Sequence, residues 1–409
     1  MNPNQKLKIC MVVHKYYYSD ARVMSYAKAL YNQGAQVDVL CVLGQISLPI
    51  KKGDGVRVFT IPIRHKRGNP IRYLFEYGMS FLLFSLWLLI LYFRNHYDVI
   101  HVHSLPDLLI VTALIPKLFG SKLILDVHDP MPELFMAKYH KPANHILVKL
   151  LSIEERLSAK LANAIITVNM DCKENLATRG TPADKIVIVR NFPDPAIFKR
   201  EKYKKEFALK HSQFTLIYPG TIAQRYSLDV AISALPQLHE KIPQIQLVII
   251  GEWTDYATEL LSLAERLGVS QFVKIKSPIP RDQVPLEIAH ADIGIYTARS
   301  SPHMDIAIPG KILEYALMGI PVIASRLRVL ENLFTESSIL FFEPGNDSEF
   351  ACYVLELFEN PARREELVQN MDRTFVRTQN WENEKREYFN VLRRLLPQGL
   401  IPQGDDQCP

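Results

Sequence analysis

The feature that most restricts this chain is a rhythm. Short apolar, β-branched runs alternate with amphipathic helical stretches through nearly all of its 409 residues. In the first half the runs are LKICMVV (7–13), QVDVLCVL (36–43), VRVFTIP (56–62), DVIHVH (98–103), KLILDVH (122–128), AIITVN (164–169) and KIVIVRN (185–191). In the second half they are FTLIYPG (214–220), IQLVIIG (245–251), FVKIKS (272–277), ADIGIYTA (291–298), IPVIAS (320–325) and SILFFEP (338–344). Apolar runs without clean alternation belong to strands buried on both faces, as in parallel sheets covered by helices. Strand, helix, strand, repeated through both halves, predicts two doubly wound α/β units. The length agrees, because a single core stops growing beyond about 300 residues.

The join between the two series is predicted at Asn191–Ala196, where NFPDPA carries two prolines. A charged, helix-prone connector (199–211) then leads into the second series. The last predicted helix, near Trp381–Leu396, carries an apolar stripe of Tyr388, Val391, Leu392 and Leu395 that needs a partner surface. The reading is therefore domains at 1–191 and 192–377, the first completed by a helix at about 378–396, with 397–409 as a frayed tail.

Composition excludes some classes of function. A formal net charge of +5 over this length, with no dense Lys/Arg run, argues against nucleic acid. Five cysteines are scattered without metal-type spacing, and an odd count in a long chain points to a reducing compartment. The N-terminus, MNPNQKLKICMVV, reaches a strand almost at once and has no cleavable apolar stretch, so the expectation is a cytoplasmic protein. Met79–Phe93, MSFLLFSLWLLILYF, is apolar except for its serines but short of the roughly 20 residues that span a bilayer. It reads either as a helix buried on the sheet or as a helix docked on an anionic membrane surface, aided by Arg64, Lys66, Arg67 and Arg72 just before it.

In open α/β sheets the ligand site lies beyond the carboxyl ends of the strands. After the first strand, HKYYYSDARV lacks the GxGxxG fingerprint, which disfavours a dinucleotide cofactor. Asp20 is placed to cap the next helix, with Arg22 in its first turn aimed at the ligand side. His128 and Asp129, with Glu133 following, suit proton handling or hydroxyl binding at a strand end. In the second half, Gly220 directly after a strand lets a ligand approach the backbone, and Arg225 near the next helix start suits a diphosphate. The strongest signal is DIAIPGKILEYALMGIPVIAS (305–325). Pro309–Gly310 makes a turn, Lys311–Met318 a short helix, and Gly319 its stop. First-turn amides and Lys311 attract phosphate, and Glu314 one turn later can accept from a ribose diol.

PGKILEYALMGIPVIAS resembles the donor-site motif of glycosyltransferase family 4, retaining enzymes of the GT-B fold, in which two Rossmann-like domains face a cleft. SDARVMSYAKAL, LILDVHDPMPE, VIVRNFPDPAIF, YPGTIAQRYSLDVAI and the tryptophan-led NWENEKREYF agree, so the resemblance covers essentially residues 7–396. It implies transfer from a nucleotide diphosphate sugar to an acceptor hydroxyl, glycan or lipid-linked, without metal or other cofactor. By the same resemblance Glu314 binds the ribose, Arg225 and Lys311 the diphosphate, and Gly220, Asp305 and Gly310 shape the donor site. His128 lies near the transferred sugar with Asp129, and Asp20, Arg22 and Glu133 are on the acceptor side. Two positions depart from the family pattern. Ile306 stands where many members carry a second glutamate, and Tyr226 where many carry a lysine, which implies that Lys311 carries more of the phosphate charge. A GT-B sugar-nucleotide epimerase and an inactive nucleotide-sugar-binding protein are the alternatives this reading leaves.

Overall fold

The computed structural model describes residues 6–43, 55–63, 70–203, 213–397 and 400, with the backbone alone at 70–77. The chain divides into two compact units, Met1–Asn191 with Glu382–Pro409, and Phe192–Trp381.

The first unit is built on strands β1 (Lys8–Val13), β2 (Gln36–Val42), β3 (Arg57–Ile61), β4 (Val99–His103), β5 (Lys122–Val127), β6 (Ala164–Thr167) and β7 (Ile186–Ile188). They form a 7-stranded sheet in the order β3-β2-β1-β4-β5-β6-β7. Every adjacent pair is parallel. The order reverses between β1 and β4, which creates a switch point at their carboxyl ends. Helices α1 (Ala21–Asn32), α2 (Pro70–Asn95), α3 (Leu114–Leu118), α4 (Met131–Tyr139), α5 (Ile146–Leu161) and α6 (Met170–Thr178) connect the strands. Parallel strands need such crossovers, and covering both faces explains why β1 and β4 are buried nearly throughout.

The second unit carries β8 (Phe214–Pro219), β9 (Ile245–Ile250), β10 (Val273–Lys276), β11 (Ile293–Tyr296), β12 (Val322–Ser325) and β13 (Leu340–Phe342). These form a 6-stranded parallel sheet in the order β10-β9-β8-β11-β12-β13. Its switch point lies between β8 and β11. Each apolar run of the sequence contains one of these strands, the ends trimmed by up to three residues.

The helix Trp381–Leu395 takes Glu382 onward back to the first unit. Tyr388, Val391 and Leu392 of its stripe are buried there, while Leu395 is only half-buried. Tyr388 stacks on Tyr26 of α1 with ring centroids 4.2 Å apart. Glu384 accepts the Arg190 backbone N–H at 2.7 Å, closing the end of the first sheet.

α2 differs from expectation. The apolar run at 79–93 is only the second half of a 26-residue helix whose first residue is Pro70. Proline suits that position because its missing N–H has no helical acceptor to serve. Phe84, Leu88, Leu91 and Tyr92 of α2 lie in the core, whereas Leu82, Leu86 and Phe93 are exposed, so the helix is neither wholly core nor free of it. Its segment Gly78–Asn95 is long and apolar enough to cross a membrane by length and composition, with a mean hydropathy of 1.4. Arg64, Lys66 and Arg67, named above as an anionic-surface contact, lie outside the described residues, as does the side chain of Arg72. The tail from 401 onward does too.

Candidate functional site

In the second unit the candidate residues gather at the switch point. Gly220 follows β8 with a φ of +151°, which only glycine adopts easily. A Cβ there would meet Lys311 Cε at 3.0 Å and Nζ at 3.2 Å, so the missing side chain is the space the lysine occupies. Gly251, at the end of β9, is a second such position, because its Cβ would sit 2.2 Å from the Gly220 carbonyl oxygen.

The helix Gly310–Met318 starts after Pro309 and stops at Gly319, whose φ of +73° and N–H bonded to the Tyr315 and Ala316 carbonyls make the expected glycine cap. Tyr315 fixes this helix to the sheet. Its hydroxyl donates to the Ile217 carbonyl at 3.0 Å, and its ring lies over Gly294 of β11, where a Cβ would come within 2.5 Å of it. The helix N-terminus and Lys311 are thereby set beside the ends of β8 and β11. Lys311 Nζ lies 4.6 Å from the ring centroids of Tyr218 and Tyr226 and 5.3 Å from that of Tyr296. Three aromatic faces hold the ammonium by cation–π attraction. Burial pulls Lys311 below the ordinary lysine value, against the opposing pull of Tyr226 and Glu314.

One turn on, Glu314 is buried, and burial lifts its carboxyl above the ordinary value. Its Oε1 pairs with Arg281 Nη2 at 3.1 Å, and that guanidinium lies 5.3 Å from the Phe198 ring. Arg225 is exposed on the loop after β8. That loop is stapled to the end of β11 by Thr297 Oγ1 donating to the Tyr226 carbonyl (2.8 Å) and the Arg299 N–H to the Arg225 carbonyl (3.2 Å). Gly310 opens the helix with nothing near its missing Cβ. Asp305 accepts from Ser300 Oγ at 2.6 Å within the preceding turn, and Ile306 beside it is buried.

In the first unit a polar network fills the sheet at its own switch point. His101 and His103 alternate onto one face of β4, and His103 is the register partner of Asp126 on β5. Arg22 bonds both oxygens of Asp126, at 2.8 and 2.9 Å, and also the Val189 carbonyl at 2.8 Å. His103 Nδ1 lies 3.1 Å from Asp126, and His101 Nδ1 lies 3.1 Å from the Tyr388 hydroxyl. Burial alone would raise Asp126, but Arg22 and the His103 hydrogen bond hold it well below the usual carboxylate range. Burial drives both histidines below the ordinary value, so they are neutral. Among the described residues, His101, His103 and Asp126 are close enough to share a cation. Yet the guanidinium already occupies both carboxylate oxygens, so the donor set fits an ion-paired core better than a metal site.

His128 sits at the edge of this network, partly buried, with Nδ1 at 3.9 Å from Asp126 Oδ2 and its backbone N–H donating to Ser104 Oγ at 3.3 Å. Asp129 follows it, also partly buried. Asp20 caps α1 by accepting the Val23 N–H at 3.2 Å, and it pairs with Lys15 at 3.4 Å. Two of the acceptor-side candidates are drawn inward. Arg22 does not aim outward, because the buried Asp126 draws it into the core. Glu133 is likewise interior, paired with Arg179, which also bonds Glu155 at 2.7 Å. Sequence reading missed Arg281, Gly251, the tyrosine cage and the His–Asp network. Only the last had a visible sign, polar residues inside the apolar runs DVIHVH and LILDVH.

Two family descriptions match, end to end along the chain. "Glycosyltransferase Family 4" matches residues 21–196 and "Glycosyl transferases group 1" matches residues 199–374. The chain belongs to the family 4 glycosyltransferases. The chain is 27% identical over 277 residues to a chitobiosyldiphosphodolichol beta-mannosyltransferase of Candida albicans, covering 63% of the chain and 59% of the relative. It is 23% identical over 342 residues to one subunit of the human phosphatidylinositol N-acetylglucosaminyltransferase, covering 81% of the chain and 65% of the relative. The chain thus spans less than two thirds of the length of these curated relatives. Among solved structures, sucrose-phosphate synthase of Thermosynechococcus elongatus aligns with a TM-score of 0.76 at 16% identity, covering 95% of this chain and 99% of that one. WaaG, a glycosyltransferase involved in lipopolysaccharide biosynthesis, aligns at 0.69 with 16% identity, covering 95% and 99%. At such identities the likeness shows the fold, and the fold is GT-B.

Proposed function

We propose that this enzyme moves a sugar from a nucleotide diphosphate sugar to a hydroxyl of a lipid-linked or glycan acceptor, with retained anomeric configuration and without a metal ion. The observation that carries the reading is Lys311, held by three tyrosine faces in the first turn of the Gly310–Met318 helix, with Glu314 one turn beyond. As the sugar–phosphate bond breaks, negative charge gathers on the departing diphosphate. Lys311, Arg225 and the amides of Gly310 and Lys311 meet that charge with dipoles and cations already in place. Glu314 takes the ribose diol, which requires Arg281 to share or yield its hold on the carboxylate. In the first unit His128 is assigned to the transferred sugar and Asp129 to the same loop. The acceptor hydroxyl attacks from the face the diphosphate leaves, and a phosphate oxygen receives its proton.

The relatives whose names mention dolichol-linked or phosphatidylinositol acceptors support a lipid-linked substrate here. Free buried thiols at Cys10, Cys41 and Cys172 support a reducing, cytoplasmic setting. The test is to screen nucleotide diphosphate sugars by thermal shift, since a true donor stabilises by mass action, and then to follow transfer in excess chelator. The expected outcome is one or two stabilising donors, an unchanged rate in chelator, and a product of unchanged anomeric configuration by NMR. Loss of all transfer in chelator, restored by magnesium or manganese, rules out the metal-free assignment.

A further inference from the structure

A carboxylate taken out of water is unfavourable unless a cation or hydrogen bonds meet it. Glu314 is such a group. It is 9% exposed in the Gly310–Met318 helix, and burial there favours its neutral form. A neutral carboxyl would grip a ribose diol poorly, because a hydrogen bond to a charged group is roughly twice as strong as a neutral one. Whatever keeps Glu314 charged therefore belongs to the working of the donor site.

Two cations act on Glu314, Arg281 first and Lys311 second. Lys311 is already held among the rings of Tyr218, Tyr226 and Tyr296. Arg281 has no other carboxylate at this distance to serve: its Nη2 lies 3.1 Å from Glu314 Oε1. It starts the turn Arg281–Gln283 that leads into the helix Val284–Ala289, and that helix packs against Gly310–Met318. The Arg281 side chain is 40% exposed, yet its guanidinium rests 5.3 Å from the ring of Phe198, which is buried. A planar cation on a fixed aromatic face is pre-organised for its carboxylate.

The other charges on the elements packed around Glu314 are engaged elsewhere. Glu287 of Val284–Ala289 pairs with Lys276 at 2.7 Å. In the segment Asp372–Val376, Asp372 bonds Arg200 at 2.8 and 2.9 Å, and Arg373 donates to Asn370. Asp282, beside Arg281, is exposed. The Arg281 contact runs through one oxygen of Glu314. A carboxylate offers about four lone-pair sites on its two oxygens, so a diol can bind at Oε2 without Arg281 leaving.

We propose that Arg281 is a positioning residue of the donor site, staying on Oε1 of Glu314 and holding the carboxylate charged and aimed while the ribose diol binds at Oε2. The proposal rests on Glu314 as the ribose acceptor and adds the residue that makes it competent. The experiment is isothermal titration of the full chain with uridine, guanosine and adenosine diphosphates, taking forward whichever binds most tightly. Its affinity is compared with that of its 2′,3′-dideoxy form from about pH 5.5 to about pH 8. The ratio of the two isolates the ribose contact, because titration of the phosphates is common to both nucleotides.

In wild type the ratio should be roughly tenfold or more and fall only towards the acid end. Arg281→Met keeps an apolar stem on Phe198 and removes the cation. Glu314 then takes its proton at a higher pH, so the ribose contact, present above that pH and lost below it, should fade earlier on acidification. Arg281→Lys should return the profile towards wild type. Arg281 is exposed, so both variants should melt as wild type does. Glu314→Gln should bring the ratio near one at every pH. A ratio that Glu314→Gln leaves unchanged, or failure of all three nucleotides to bind, overturns the ribose reading beneath the proposal. With that reading intact, an Arg281→Met profile that follows wild type overturns the positioning role. So does a loss equal at every pH that lysine does not rescue, which assigns Arg281 to packing. A higher ratio in Arg281→Met at every pH makes Arg281 a competitor of the diol and overturns the proposal as well.

Discussion

At the scale of single residues, the donor-site reading turns on Glu314 and Lys311. Glu314→Gln keeps the shape but removes the charge, and a charged hydrogen bond contributes about 1.5–3 kcal/mol, so donor affinity should fall about tenfold or more. Isothermal titration with the donor on a variant of unchanged melting temperature checks this, and unaltered affinity removes Glu314 from the site. Gly220→Ala places a methyl group where Lys311 lies, at a φ of +151°, so it should weaken donor binding by displacing the lysine. The placement of Lys311 and Glu314 on one short helix was legible in the sequence because both sit in one motif. Arg281 was not, since it arrives from a loop after β10 and no local pattern links it to Glu314. The inward turn of Arg22 was not legible for a related reason. Its partner Asp126 lies in a distant strand, and a first-turn arginine looks the same from the sequence whether it points to solvent or to a buried carboxylate.

At the scale of elements, the placement of the Gly310–Met318 helix depends on one glycine under one ring. Gly294→Ala would drive a methyl group to 2.5 Å from the fully buried Tyr315 ring, which has no room to retreat. Overpacking of this kind costs about 1–3 kcal/mol, and here it should also shift Lys311, so donor affinity should drop together with the urea midpoint. Stability loss with full donor affinity would uncouple the helix position from the site. In the first unit, Tyr388→Ala should cost about 3–5 kcal/mol, as for other fully buried aromatic truncations, measured by urea denaturation. The strands were easy to read because burial on both faces leaves a continuous apolar run. The start of α2 was hard to read because its first half is not uniformly apolar, and hydropathy marks burial rather than helix ends.

At the scale of the molecule, the neutral histidines of the first unit predict acid sensitivity. His101 and His103 are held below their ordinary value near 6.5, so the unfolded chain binds their protons first as pH falls. Their contribution is fully present above about pH 6.5 and is lost as pH drops from there through the folded values, by about 1.4 kcal/mol per unit for each proton. Thermal melts at pH 7.5 and 5.5 should therefore differ more for wild type than for His103→Gln, and equal differences would show that the network does not titrate in this range. The two-sheet architecture was legible from alternation alone. The return of the chain to its first unit was visible only as a stripe in want of a surface. That return sets an order in time. During synthesis the second unit has its whole sequence once Trp381 has been made, whereas the first, though begun earlier, waits for Tyr388 and its neighbours to emerge. The unit that starts first is completed after the second, and a ribosome that stalls between Trp381 and Tyr388 leaves a complete second unit joined to an open first sheet.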